Sequence, residues 1–471
     1  MSNNRKHLMA HDFISLAIIA VVAFVAPVIA QAIPKKPIPE TVLLLAFGAI
    51  LGPNCMNHIW LTEPITLLSD LGLAFLFLLA GYEINPKMLT GTEGKKGLRT
   101  WLVTFAFALA LVFLHPNLAI GGIGVVPMAI VLVTTALGTL MPILRERELM
   151  NTKVGRAVIA YGTWGEVGPV LAMAVLLSTR TNWQTAAILA AFMILCVVTA
   201  LVPAMARKNG TRLYKFLEAK ANTTSQTSVR GTIMILVALV AFSALFDIDI
   251  VLGAFAAGFV LRYITPEGNV SLEAKLDAIG FGFLIPLFFI VSGAKIDISA
   301  IAADPAMLAR FVALLLAVRT VPIIISLSMP KTRTKYTMHE RISVALYCTT
   351  ALPIIVAVTS LCVKNGSIDA STASIMVAAG AVTVFIMPLF AGAAYGVADR
   401  HPIDAVREIA HDPHHAGEIV SQHMHEHREH AHTDYRHVYM AKQRPDVVHV
   451  VMKEHEEGHA EEHETKHLEK K

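Results

Sequence analysis

Two ionisable residues lie where an ionisable residue is costly. Glu166 sits in the middle of VGRAVIAYGTWGEVGPVLAMAVLL and Arg319 near the middle of PAMLARFVALLLAVRTVPIII, and each run is long enough to cross a bilayer. A charge at the bilayer centre costs at least ~2.5–3.5 kcal/mol on insertion scales, so such groups are paired, hydrated or functional. Opposite sign and matching depth make Glu166 and Arg319 natural partners. A carboxyl at that depth holds either a proton or a cation but not both, and this alternative suffices for obligatory exchange of one for the other. Gly162, Gly165 and Gly168 leave room for an ion or water beside Glu166. The plainer alternative is a Glu–Arg bridge that only fixes helix packing.

Two further stretches offer oxygen ligands. Thr134-Thr135-Ala136-Leu137-Gly138 and Thr349-Thr350-Ala351-Leu352-Pro353 share four residues, lie mid-run, and end in a helix breaker, Gly138 or Pro353. Helices broken at the midplane expose carbonyls and amides that bind ions, and threonine hydroxyls beside the break add to them. Threonines that bond back to their own helix are the ordinary alternative. The spacing predicts an ion and proton site built from Glu166, Gly165, Thr134 and Thr135, with Arg319 as charge partner. Gly138, Thr349, Thr350 and Pro353 mark the two predicted helix breaks.

The elements that would position these residues follow from composition. The chain of 471 residues is 55% hydrophobic and only 16% charged, and residues 401–471 hold 15 of the 35 acids and 15 of the 20 histidines. The remainder is an apolar body with charges as short punctuation, the pattern of an all-α polytopic membrane protein with a polar tail. Thirteen apolar segments are predicted near 11–32, 38–52, 64–82, 100–114, 119–144, 154–177, 184–205, 230–246, 248–264, 276–294, 305–328, 341–362 and 371–397. Lys and Arg concentrate in connections after odd-numbered segments and are sparse after even-numbered ones. That asymmetry predicts an N-terminus outside and a C-terminus in the cytoplasm of a cell (inner) membrane. Arg5-Lys6, an apolar run and Ala30-Gln31-Ala32 resemble a signal peptide, but Lys35-Lys36 favours a retained first helix.

The polar stretch RKNGTRLYKFLEAKANTTSQTSVR separates segments seven and eight, leaving six segments on each side of a linking helix. An odd offset reverses direction, so this is the arithmetic of an inverted repeat, in which segments five and twelve correspond. Other charges lie near segment ends. Asp70 opens the apolar part of segment three and is a candidate for an outer funnel; Glu83 reads as interfacial, and snorkelling accounts for Lys295, Asp297 and Arg310.

Four cysteines show no metal spacing, and neither a G-x-x-x-x-G-K-[ST] nor a G-x-G-x-x-G motif occurs, so nothing supports ATP-driven transport. The chain reads as a carrier rather than an enzyme and needs no cofactor. The tail cluster His423, His425, His427, His430 and His432 suggests weak Zn or Ni binding or pH sensing, against a largely disordered polar tail.

PIPETVLLLAFGAILGP, SDLGLAFLFLLAGYEI, VLGAFAAGFVLR and IPLFFIVSGAKIDI, in that order and topology, resemble the cation:proton antiporter superfamily, in the branch of Kef-like and NapA-like exchangers. The resemblance covers about residues 15–395. It implies a membrane domain over 1–397, divided into a dimer domain (segments 1–3 and 8–10) and a moving core domain (4–6 and 11–13), with segment 7 as linker, and a separate tail over 398–471. It also implies a homodimer, crossed, broken helices in segments 5 and 12 (at Gly138, Thr349, Thr350 and Pro353), an elevator-like motion, an ion-binding carboxylate at Glu166 and a basic residue at Arg319. Members of the family usually carry Asp preceded by Asp, Asn or Gln where this chain has Gly165-Glu166. One acid with Arg resembles the electroneutral class. The expected activity is 1:1 Na⁺ or K⁺ exchange for H⁺, serving pH homeostasis; the alternative is a proton- or sodium-coupled carrier of an organic solute on the same fold.

Overall fold

The computed structural model describes residues 2–32, 39–84, 91–115, 122–150, 152–176, 190–192, 194–199, 201, 226–246, 249–265, 269–329 and 336–399. Among these residues the regular structure is entirely helical. Eight helices are long and apolar enough to cross a membrane: Ala10–Ala32, Glu63–Glu83, Thr92–Leu114, Lys153–Leu176, Thr227–Leu245, Val270–Ala294, Pro305–Ser328 and Ala370–Tyr395. Shorter apolar helices cover segments two, five, nine and twelve. Segment seven and the histidine-rich tail, with its candidate Zn or Ni ligands, lie largely or wholly outside the described residues.

Three helices open the chain: α1 (Ser2–Ala32), α2 (Glu40–Leu51) and α3 (Glu63–Glu83). They pack with α8 (Thr227–Leu245), α9 (Ile250–Ile264), α10 (Val270–Ile279) and α11 (Ile285–Ala294). A π-helical turn, Gly280–Leu284, joins α10 to α11 as one continuous run. Lipid supplies no hydrophobic drive between helices, so close backbone approach at small residues does the packing. Two reciprocal glycine pairs show it. A Cβ on Gly81 of α3 would lie 2.2 Å from Phe255 O, and one on Gly258 of α9 would lie 2.0 Å from Leu78 O. Gly48 of α2 and Gly293 of α11 stand in the same relation to Ile290 O and Leu45 O, at 2.1 and 2.2 Å.

A second group consists of α4 (Thr92–Leu114), α5 (Val125–Leu132), α6 (Leu137–Glu146), α7 (Lys153–Leu176), α13 (Pro305–Ser328), α14 (Met338–Tyr347), α15 (Pro353–Lys364) and α16 (Ala370–Asp399). A short helix, α12 (Ile298–Ala303), leads into it. Local sequence sets these starts. Asp304 accepts from Met307 N at 2.8 Å, with Pro305 at the first helical position of α13. Thr337 and Glu340 form a capping box at α14, at 3.3 and 2.7 Å. Lys153 Nζ reaches the nearly buried Glu340 carboxylate at 2.8 Å, tying the starts of α7 and α14. At the end of α6, Arg147 donates to Tyr347 Oη (3.1 Å) and Pro388 O (2.8 Å), so α6, α14 and α16 are linked by one guanidinium.

Candidate cation and proton site

The site forms where two helices stop mid-span. Segment five divides into α5 and α6 across Val133–Ala136, and segment twelve into α14 and α15 across Cys348–Leu352. The breaks therefore fall on the threonines, one residue or more before the residues expected to cause them. Leu137 opens α6 with Gly138 in its first turn, and Pro353 opens α15. Proline is tolerated there because the first amides of a helix lack intrahelical partners.

The two extended segments satisfy each other. Ala136 N donates to Thr350 O at 2.8 Å, and Thr135 N donates to Gly165 O on α7 at 2.8 Å. Thr383 of α16 bridges the amide and carbonyl of Ala351, at 3.2 and 3.3 Å. Backbone groups buried in the apolar body are thus paired without a continuous helix. Thr349 and Thr350 bond back to Ala345 O and Tyr347 O, both at 2.8 Å, so their hydroxyls support the crossing rather than stand open.

Arg319 closes this crossing from α13. It is 1% exposed; Nε and Nη2 donate to Thr135 Oγ1 at 3.0 and 2.7 Å, Nε to Cys348 O at 3.2 Å, and Nη2 to Tyr161 O at 3.2 Å. Thr135 Oγ1 itself donates to Cys348 O at 2.5 Å. One guanidinium therefore pins both breaks and α7. The expected pairing of Arg319 with Glu166 is corrected here: Glu166 is not among the partners of Arg319, and the two form no ion pair. Neighbouring residues on a helix point about 100° apart. Gly165 faces the guanidinium, and Glu166 is turned away from it.

Glu166 is turned instead to the start of α6. It is 3% exposed, and the Gly138 backbone N–H lies close enough to favour its charged carboxylate. Unpaired amides and the helix dipole make a helix N-terminus favourable to negative charge. Glu166 Oε2 has no hydrogen-bond partner, and neither does Thr134 Oγ1, which is 1% exposed. Buried polar atoms are almost always satisfied, and each orphan costs about 1–3 kcal/mol, more for a charged group. Of the two threonines proposed as ligands, Thr134 keeps an open oxygen, whereas Thr135 is committed to Arg319.

Glu83, read as an interfacial helix end, does close α3 with its side chain 27% exposed. Its Oε2 is buried without a partner, and Oε1 lies 3.8 Å from Arg145 Nη2. The apolar run simply ends at this residue, and nothing along the chain says that α6 lies beside it. Asp70 is exposed at the other side of α3, within electrostatic range of Lys295 and Lys364.

A profile of the transmembrane sodium/hydrogen exchanger family matches residues 20–393. The chain belongs to that family. The chain is 28% identical over 336 residues to a putative Na⁺/H⁺ antiporter of Bacillus subtilis, a match covering 66% of the chain and 52% of the relative. It is 24% identical over 298 residues to the probable Na⁺/H⁺ antiporter 3 of Methanocaldococcus jannaschii, covering 61% and 72%. The chain spans about half the length of the Bacillus subtilis relative. Its fold matches the sodium proton antiporter MjNhaP1 of Methanocaldococcus jannaschii with a TM-score of 0.55 at 15% identity, over 82% of this chain and 98% of that one.

Proposed function

We propose that this exchanger carries a monovalent cation, Na⁺ or K⁺, against a proton, with the two competing for Glu166. The observation that carries the reading is the orphan Glu166 Oε2, buried within an apolar body and held by the N-terminus of a half-helix. A proton or a small cation satisfies that oxygen equally well, and occupancy by one excludes the other. Thr134 Oγ1 and the carbonyls of the breaks supply further oxygens suited to a small hard cation.

Arg319 is spent on the crossing, so a single carboxylate does the exchanging. One positive charge in for one out makes the cycle electroneutral. Alternating access follows if the group holding the crossing moves against α1–α3 and α8–α11, the two groups corresponding to core and dimer domains of a homodimer. The basic connections favour a C-terminal side in the cytoplasm.

The test is transport in liposomes holding the full chain, following internal pH after addition of Na⁺, K⁺ or Li⁺. Competition predicts that the cation KM rises as pH falls while the maximal rate holds. If no monovalent cation dissipates a pH gradient, the reading fails.

A further inference from the structure

One basic residue stands at the edge of the site without a role in the crossing. Arg145 is in the last turn of α6, the half-helix whose first turn holds Glu166 through Gly138. Its side chain is 59% exposed and reaches across to the other helix group, where Nη2 lies 3.8 Å from Glu83 Oε1. Glu83 is also within electrostatic range of Glu273 and Asp277 of α10, and Arg145 acts on Asp277 as well. Two of these carboxylates, Glu83 and Asp277, thus feel one guanidinium of the second group, and Glu273 adds its charge to both of them. The innermost carboxylate, Glu83, keeps a buried Oε2 without a partner and acts electrostatically on Glu166.

A cation approaching Glu166 from this side meets the field of those three acids, and the field is already partly neutralised by a charge the protein supplies itself. We infer that Arg145 is a tethered competitor that occupies Glu83 when no cation is loaded, and so sets the apparent cation affinity on this side of the membrane. The inference rests on the exchange reading above and adds a specificity-setting residue to it. The length of the contact and the exposure of Arg145 suit a competitor: an ion pair open to solvent is worth about 0.2–1 kcal/mol, weak enough for a transported ion to displace. It also joins the two helix groups, so any movement of α6 along α3 must break it.

The experiment measures Na⁺-driven proton movement by the full chain in liposomes, from each side of the membrane. Arg145→Gln is expected to lower the KM for Na⁺ about two- to fivefold on the side bearing the α6–α7 connection, with the maximal rate unchanged. Arg145→Lys, which keeps the charge, should retain the original KM. Millimolar guanidinium should inhibit Arg145→Gln more strongly than the unaltered protein, because it restores the missing competitor from solution. An unchanged KM in Arg145→Gln overturns the inference, as does an equal shift in Lys95→Gln, a remote exposed charge on α4, since that would mean a general surface effect. If the unaltered protein moves no cation at all, the exchange reading falls instead.

Discussion

Arg319 and Gly165 fit together as plug and slot: a Cβ built on Gly165 would lie 2.1 Å from Arg319 Nη2 and 2.5 Å from Thr135 Oγ1. No side chain can stand there without expelling the guanidinium. The residue before the carboxylate, polar in the resembled superfamily, is here reduced to hydrogen, and the arginine takes the space. Gly165→Ala should therefore displace Arg319 and loosen its bonds to Thr135 and Cys348. Overpacking of this kind costs about 1–3 kcal/mol. We expect a thermal midpoint lowered by several degrees and exchange reduced at least about tenfold, read by thermal unfolding in detergent and by the liposome assay. Activity and midpoint equal to those of the unaltered protein would mean that the guanidinium has another place to go.

Because Arg319 serves the crossing and not Glu166, the two charges should respond differently to removal. Glu166→Gln takes away a buried carboxylate with an orphan oxygen, and should leave the thermal midpoint unchanged or slightly higher while abolishing cation-dependent proton movement. Arg319→Gln strands Thr135 and two backbone carbonyls around a shorter side chain, and should destabilise by about 3 kcal/mol or more, in the range for breaking a buried charged network. Had the two formed a buried ion pair, either loss would destabilise strongly. A large fall in the midpoint of Glu166→Gln would restore the ion-pair view.

The burial of Glu166 and the location of both breaks were legible in the sequence because each is a one-dimensional signal. A charge inside an apolar run marks a cost that something must offset, and repeated Thr-Thr-Ala-Leu words at corresponding places mark a repeat. The direction in which a side chain points is not such a signal. Arg319 and Glu166 share a depth, and only the rotation of α7 decides that Gly165 meets the guanidinium. The partner of Glu83 was illegible for a related reason. The end of an apolar run says nothing of Arg145, which α6 brings to it from the other helix group.

The paired threonines separate structure from binding. Thr135 holds Arg319 and Cys348 O, whereas Thr134 Oγ1 is buried and open. Thr135→Ala should lower the thermal midpoint and the maximal rate together. On the proposed exchange, Thr134→Ala should leave the midpoint within about a degree and raise the cation KM several-fold, because it deletes a buried oxygen that no protein group uses. The reverse assignment, with Thr134→Ala destabilising and Thr135→Ala changing KM alone, would relocate the open oxygen.

The glycine pairs of the first helix group predict where that group tolerates no growth. A Cβ on Gly258 would meet Leu78 O at 2.0 Å and Tyr82 N at 2.7 Å, both backbone atoms of α3 that cannot rotate aside. Gly258→Ala must push α9 off α3 by more than an ångström or be refused. Since α3 carries Glu83 at its end, the displacement also shifts that carboxylate relative to Arg145. Gly231, by contrast, has no atom within 4 Å of the corresponding position on α8. Gly231→Ala should add helix propensity of up to about 1 kcal/mol and leave transport intact. Measured side by side, Gly258→Ala should lose folded protein in detergent by size-exclusion chromatography while Gly231→Ala gains a few degrees in thermal midpoint. Equal behaviour of the two would mean that the α3–α9 approach is looser than these distances require.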